Sequence, residues 1–209
     1  MTGKLKILLA SSEVHPYAKT GGLADVSSAL PKALKPLGHD IRIILPKYQS
    51  IDTHKHQLKL LDKPLKVPVG ASAKDGSLWE GKLAGGVPVY CVGNDEYFKR
   101  KELYGENGKD YPDNAVRFIF FSRSVLEACK ALDFRPDIIH CHDWQTGLIA
   151  PYLKTLYQTD SFFQNTKTVF TIHNMAYQGN FEPSDMALTN LPPPCSTRKA
   201  WSFTAKSVF

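Results

Sequence analysis

The chain has 209 residues, 43% hydrophobic, 22% charged and 11% aromatic, enough to bury one sizeable core and too rich in apolar residues for a disordered chain. No run of about 18 apolar residues occurs, which excludes a membrane-spanning helix. The formal charge of +6 raises the question of a polyanionic partner.

That charge is unevenly placed. The last fifteen residues hold Arg198, Lys199 and Lys206 and no acid, so the preceding 194 carry 23 of the 26 basic residues and all 20 acids, a net of +3. No basic stripe with interleaved aromatics follows a candidate helix, so neither a nucleic-acid nor a membrane partner is expected. Cys91, Cys129, Cys141 and Cys195 are far apart with no Cys-x-x-Cys pair, which argues against a disulfide framework or a thiolate zinc site and for a reducing cytoplasm. The N-terminal MTGKLKILLASSEV reads as a first strand, because no cleavage segment follows its apolar patch.

In chain order, Lys4 to Ala10 is a strand-length apolar run. After a Gly-Gly loop, Leu23, Val26, Leu30, Ala33, Leu34 and Leu37 recur at helical spacing and predict the buried face of a helix that Gly38 stops. Asp40 to Leu45 is a second strand. This β-loop-α-β unit requires a parallel, right-handed crossover. Between Gln57 and Asn94, short alternating runs broken by Gly and Pro predict a small antiparallel excursion. Tyr97 to Tyr111 reads as an irregular surface loop, followed by a helix from Asn114 to Leu132. Asp137 to Cys141 and Lys167 to Ile172 read as buried strands, with a helix from Trp144 to about Tyr157 between them. The fold class is α/β, a Rossmann-like doubly wound, mostly parallel sheet with a hairpin excursion, whose ligands belong at the carboxyl ends of the strands.

Three segments lie at such ends. In SSEVHPYAKTGGLAD, residues 11–25, Gly21 and Gly22 allow close backbone approach, the helix start offers N–H groups, and Lys19 adds a positive charge, together a phosphate cradle. The same residues would also make a plain glycine-rich turn with a solvated lysine. Neither GxGxxG nor GxxxxGK[ST] is present, which disfavours a nicotinamide dehydrogenase or a P-loop NTPase. In IIHCHDWQTGLIAPY, adjacent strand residues point to opposite faces, so His140, Cys141, His142 and Asp143 cannot converge on a metal. His142 and Asp143 are expected at the cleft, and His140 and Cys141 in the core. In TIHNMAYQG, His173 can donate to a sugar hydroxyl or to developing charge, and Asn174 can fix the loop or bind ligand.

These three stretches resemble the N-terminal half of bacterial glycogen synthases and plant starch synthases, over roughly residues 4–181. The family comprises retaining glycosyltransferases of GT-B architecture that move glucose from ADP-glucose to the non-reducing end of an α-1,4-glucan, without a metal or other cofactor. The resemblance implies that Lys19 binds the sugar nucleotide, that Gly21 and Gly22 approach its diphosphate, and that Asp25 lies near the donor or acceptor glucose. The same resemblance implies that His173 contacts the donor glucose, with Asp25 and His173 as the catalytic pair. Asn174, His142, Asp143, Tyr177 and Gln178 match cleft positions. A non-catalytic nucleotide- or glucan-binding module is the alternative.

The pattern breaks near residue 194. The family continues with a string like LFNPEGLEFYGKVSF, where this chain reads CSTRKAWSFTAKSVF. One choice of codons for 195–209 yields the family string when read from the last base of the preceding Pro codon. The expected organisation is an incomplete N-terminal GT-B domain at 1–194, an out-of-frame tail at 195–209, and a C-terminal domain that is absent or separately encoded.

Overall fold

A computed structural model describes residues 3–192. The expected boundary at 194 and the tail at 195–209 lie outside the described residues. The chain forms β1 (Lys6–Ala10), α1 (Gly22–Leu34) with a 3₁₀ turn at Lys35–Leu37, and β2 (Asp40–Pro46). Then come β3 (Lys59–Leu60), β4 (Leu65–Val69), β5 (Ser72–Lys82), β6 (Pro88–Gly93), α2 (Asp95–Phe98), β7 (Gly105–Glu106) and β8 (Lys109–Asp110). The remainder is α3 (Asn114–Ala131), β9 (Ile138–His142), a 3₁₀ turn at Trp144–Thr146, α4 (Ile149–Lys154), β10 (Lys167–Thr171), a 3₁₀ turn at Pro183–Asp185 and α5 (Met186–Thr189).

The main sheet runs β10-β9-β1-β2-β6-β5-β3, with β4 also paired to β5. Strands β10, β9, β1, β2 and β6 are parallel, and β5 returns antiparallel to β6. The predicted excursion is therefore fused to the sheet: the run VPVYCVG becomes β6, parallel to β2 on one side and antiparallel to β5 on the other. Central strands are covered on both faces, which suits their Ile- and Leu-rich sequences. Leu9, Ile43, Ile44, Leu45 and Ile139 are fully buried, and α3 adds Phe118, Phe120, Phe121, Val125 and Leu126. Each such side chain stabilises by about 1.5–3 kcal/mol relative to exposure.

Four expectations need correction. The buried stripe of α1 is Leu23, Ala24, Ser27, Ser28 and Pro31, while Val26 and Leu37 are exposed. Small side chains let the helix approach closely enough for the Ser27 hydroxyl to donate to Ser11 Oγ at 2.9 Å, and that proximity outweighs the larger apolar residues one position away. Gly38 does end the helical segment, with φ +93°.

The second correction concerns 97–111, which is anchored rather than a loose loop. Arg117 of α3 is fully buried and donates to the carbonyls of Tyr97 (2.7 Å) and Leu103 (2.9 Å) and to Asn114 Oδ1 (2.6 Å). Tyr97, Phe98 and Leu103 are buried as a result. Third, β10 is an edge strand with Val169 and the following Ile172 exposed, not a buried one. The helix predicted from Trp144 to Tyr157 is also shorter, beginning as a 3₁₀ turn and ending at Lys154.

Candidate functional site

The carboxyl ends of β1, β9 and β10 lie side by side because β9 pairs with both neighbours in parallel. The loops leaving them share one cavity of about 860 Å³. From the β1 side come Glu13, Thr20, Gly21, Gly22 and Leu23; from the β9 side Asp143, Trp144 and Gln145; from the β10 side His173, Asn174, Tyr177 and Gln178. Tyr104, Asp110 and Asn114 add to the lining from the 97–114 region.

The glycine turn is held by Glu13, which sequence reasoning passed over. This buried carboxylate accepts hydrogen bonds from Thr20 N (2.5 Å), Thr20 Oγ1 (2.6 Å), Gly21 N (3.1 Å) and the Tyr104 hydroxyl (2.8 Å). Burial, first of all, and the nearby Tyr48 and Glu13 push the Tyr104 hydroxyl well above the ordinary phenol range, so it stays a donor. Gly21 N–H is thus already engaged, and the donors open to an anion are the first-turn N–H groups of α1 from Gly22 onward. A Cβ at Gly21 or Gly22 would meet nothing within 4 Å, so no packing inside the chain requires glycine at either position, and both leave space on the cavity side.

Lys19 and Asp25 stand together at the cavity's edge rather than in its lining. Lys19 Nζ is 2.7 Å from both Asp25 carboxylate oxygens, with the two side chains 45% and 56% exposed. A pair that open contributes at most about 1 kcal/mol. A charge-assisted bond to phosphate, about 1.5–3 kcal/mol, suffices to draw the lysine away.

On the other rim the imidazoles form a chain. His140 Nε2 lies 2.8 Å from Thr171 Oγ1, the His140 and His142 rings are 4.2 Å apart, and His142 Nδ1 is 2.8 Å from His173 Nε2 with those rings stacked at 5.0 Å. His142 is fully buried behind His173 and does not line the cavity, contrary to expectation. Burial, with the neighbouring imidazoles, pulls its pKa down to about 3, so the ring is neutral. Among the described residues its Nε2 has no partner. A buried N–H without an acceptor costs more than a bare ring nitrogen, which assigns the single proton to Nδ1, donating to His173 Nε2 and leaving His173 to offer Nδ1–H. Cys141 is core as expected, while His140 is only half-buried.

Asp143 joins the two histidine segments. Its Oδ1 accepts from His173 N at 2.7 Å and its own N–H donates to the Thr171 carbonyl at 3.0 Å. Burial raises its pKa above the usual carboxylate range against the pull of the His173 N–H. Its φ of +57° is strained for a non-glycine residue, at a cost of about 1–3 kcal/mol, and such strain concentrates at functional sites. Asn174 Oδ1 accepts from Ala176 N at 2.9 Å and so fixes the loop. Gln178 donates to the Met175 carbonyl (3.0 Å), and Tyr177 is 71% exposed on the rim. Gly179, at φ +64°, carries the chain past Trp144, where a Cβ would stand 2.7 Å from the indole.

The fold and this rim define a parallel-sheet α/β domain with a strand-end cleft that offers N–H donors on one side and an ordered imidazole on the other. A family model described as the starch synthase catalytic domain matches residues 6–207, and the chain belongs to that family. It is 50% identical over 189 residues to a glycogen synthase of Geotalea daltonii, covering 90% of this chain and 39% of that protein. To a glycogen synthase of Syntrophotalea carbinolica it is 46% identical over 199 residues, covering 95% and 41%. A structure of the catalytic domain of Starch Synthase IV from Arabidopsis thaliana bound to ADP and acarbose is similar, with a TM-score of 0.82, 34% identity, and coverage of 91% of this chain and 38% of that one. The chain thus spans about two fifths of the length of these relatives.

Proposed function

We propose that this chain is the N-terminal half of a glycogen synthase-type glucosyltransferase, whose complete cleft moves glucose from ADP-glucose to the non-reducing end of an α-1,4-glucan. The observation that carries the reading is the single cavity joining the glycine turn of α1 to His173 and Asn174. The Arabidopsis relative bound to ADP and acarbose supports both ligand classes, a nucleoside diphosphate and an oligosaccharide.

In this reading the diphosphate lies against the first-turn N–H groups at Gly22, and Lys19 leaves Asp25 for phosphate. Asp25, released, accepts from a glucose hydroxyl. His173 donates from Nδ1 to the donor glucose, held in that tautomer by His142, while Asp143, Asn174, Tyr177 and Gln178 shape the sugar end. As the glucosyl bond to the diphosphate breaks, negative charge grows on the leaving phosphate and positive character on the sugar ring, and preorganised donors at the phosphate lower the barrier.

Transfer needs groups on both sides of the cleft, and the residues named here supply one. The 209 residues alone therefore bind ADP and turn over negligibly, and their partner is a C-terminal half, in a cytoplasmic setting. We further read 195–209 as the out-of-frame tail, tested by the bases that follow codon 194. Calorimetry with ADP and a labelled-glucose transfer assay onto glycogen test the function. ADP binding without transfer by the chain alone, and transfer once a family C-terminal half is supplied, is the expected pair of results. No ADP binding contradicts the reading. The binding-module alternative holds if ADP binds and transfer never appears even with a C-terminal half supplied.

A further inference from the structure

A second cavity, of about 580 Å³, shares no lining residue with the cleft. It lies between α1, the segment before β3, and β5. Four lysines line it, Lys32, Lys55, Lys59 and Lys82, against one acid, Glu80, a formal +3. Among the described residues none of these four ammonium groups makes an ion pair or side-chain hydrogen bond, although Lys19, Lys66, Lys74, Lys99 and Lys130 all do. Glu80 is engaged instead by the Tyr90 hydroxyl.

The floor is built rather than incidental. Tyr17 is 4% exposed, its hydroxyl donates to the Lys82 carbonyl at 3.1 Å, and its ring packs on His56 at 4.6 Å. A Cβ on Gly81 would stand 3.0 Å from that hydroxyl, so glycine makes room for the ring. Burial and Lys55 lower the His56 pKa, which leaves it a neutral donor beside the cations. Because the Tyr17 face is covered, the cavity offers no open aromatic platform for a neutral sugar. What it offers is uncompensated positive charge in a concave site of ligand size.

We propose that this cavity is a binding site for a small phosphorylated anion, separate from the nucleotide cleft. Two pieces of chain run from one cavity to the other: in the segment before α1, His15, Pro16 and Tyr17 line this cavity and Thr20 and Gly21 the cleft, while α1 gives Lys32 to this cavity and Gly22 and Leu23 to the cleft. Occupancy here therefore bears on the backbone that presents Lys19.

The test is calorimetry of the full chain with inorganic pyrophosphate, with a hexose phosphate, and with the unphosphorylated hexose. Lys19→Ala is included in every arm to suppress binding in the cleft. Pyrophosphate is expected to bind, and Lys59→Glu/Lys82→Glu to weaken it at least about tenfold, while Lys59→Arg/Lys82→Arg retains it and so guards against misfolding. A hexose phosphate that binds as tightly as pyrophosphate identifies a sugar phosphate as the ligand type, and weaker binding identifies an inorganic or diphosphate anion. Binding unchanged by the charge reversal, or equal binding of the unphosphorylated hexose, overturns the proposal.

Discussion

The two rims of the cleft are built on opposite principles. The β1 rim is backbone held by a single buried carboxylate: Glu13 fixes Thr20 and Gly21, and the cation beside them rests on an exposed partner it can leave. The β9–β10 rim is side chains held by one another: a neutral, buried His142 fixes His173, and a strained Asp143 ties the His173 backbone down. The difference teaches where charge can move and where geometry cannot. The first rim offers replaceable electrostatics, the second a fixed donor.

Removing Glu13 should break the first rim and spare the second. Glu13→Ala removes the charged acceptor shared by Thr20 N–H, Thr20 Oγ1, Gly21 N–H and the Tyr104 hydroxyl and leaves Tyr104 only its Ser12 contact, for a loss of about 3 kcal/mol by denaturant titration. Glu13→Gln, which keeps an acceptor, should lose less. A loss under about 1 kcal/mol for the alanine variant would show that the turn holds itself.

Glycines sharpen the contrast. Gly179→Ala forces a Cβ onto Trp144 at a positive φ and should cost about 2 kcal/mol. Gly22→Ala enters open space and should shift stability by less than about 1 kcal/mol while weakening ADP binding. Equal stability effects at the two positions would erase the distinction.

The second rim carries the pH dependence. The folded pKa of His142, about 3, lies below the ordinary 6.5, so the unfolded chain binds the proton more readily. The stability from the neutral ring is complete above pH 6.5 and is lost as pH falls toward 3, by up to about 1.4 kcal/mol per pH unit. Thermal melts of the wild type and His142→Asn across that range should diverge, the variant losing less on acidification. Parallel curves would mean that His142 is not buried neutral.

Lys19→Ala is the smallest stability effect, at most about 1 kcal/mol, measured in the same titrations.

Much of the fold was legible because period and punctuation are local: the β1-α1-β2 unit, Gly38, α3 and β9 follow from apolar spacing. The rotated face of α1 was not, because Ala24, Ser27 and Ser28 become core only once Ser11 is known to lie beneath them. The anchoring of 97–111 depends on Arg117, a charged residue distant in sequence whose burial no local pattern signals. At the site, Gly21, Gly22, Asp143, His173 and Asn174 follow from strand-end position, Tyr177 and Gln178 from the family resemblance alone, and all seven line one cavity. Glu13 was in view between strand and glycines, but its role depends on a backbone turn that no spacing reveals. His142 went inward because His173, from another strand, covers it.

The central claim is that the two rims hold one ligand between them. Mapping amide shifts on adding ADP tests it most directly. The account predicts that Gly22, on the first rim, and His173 and Asn174, on the second, shift together with one shared affinity. Shifts confined to one rim, or appearing only around Lys59 and Lys82, would contradict it.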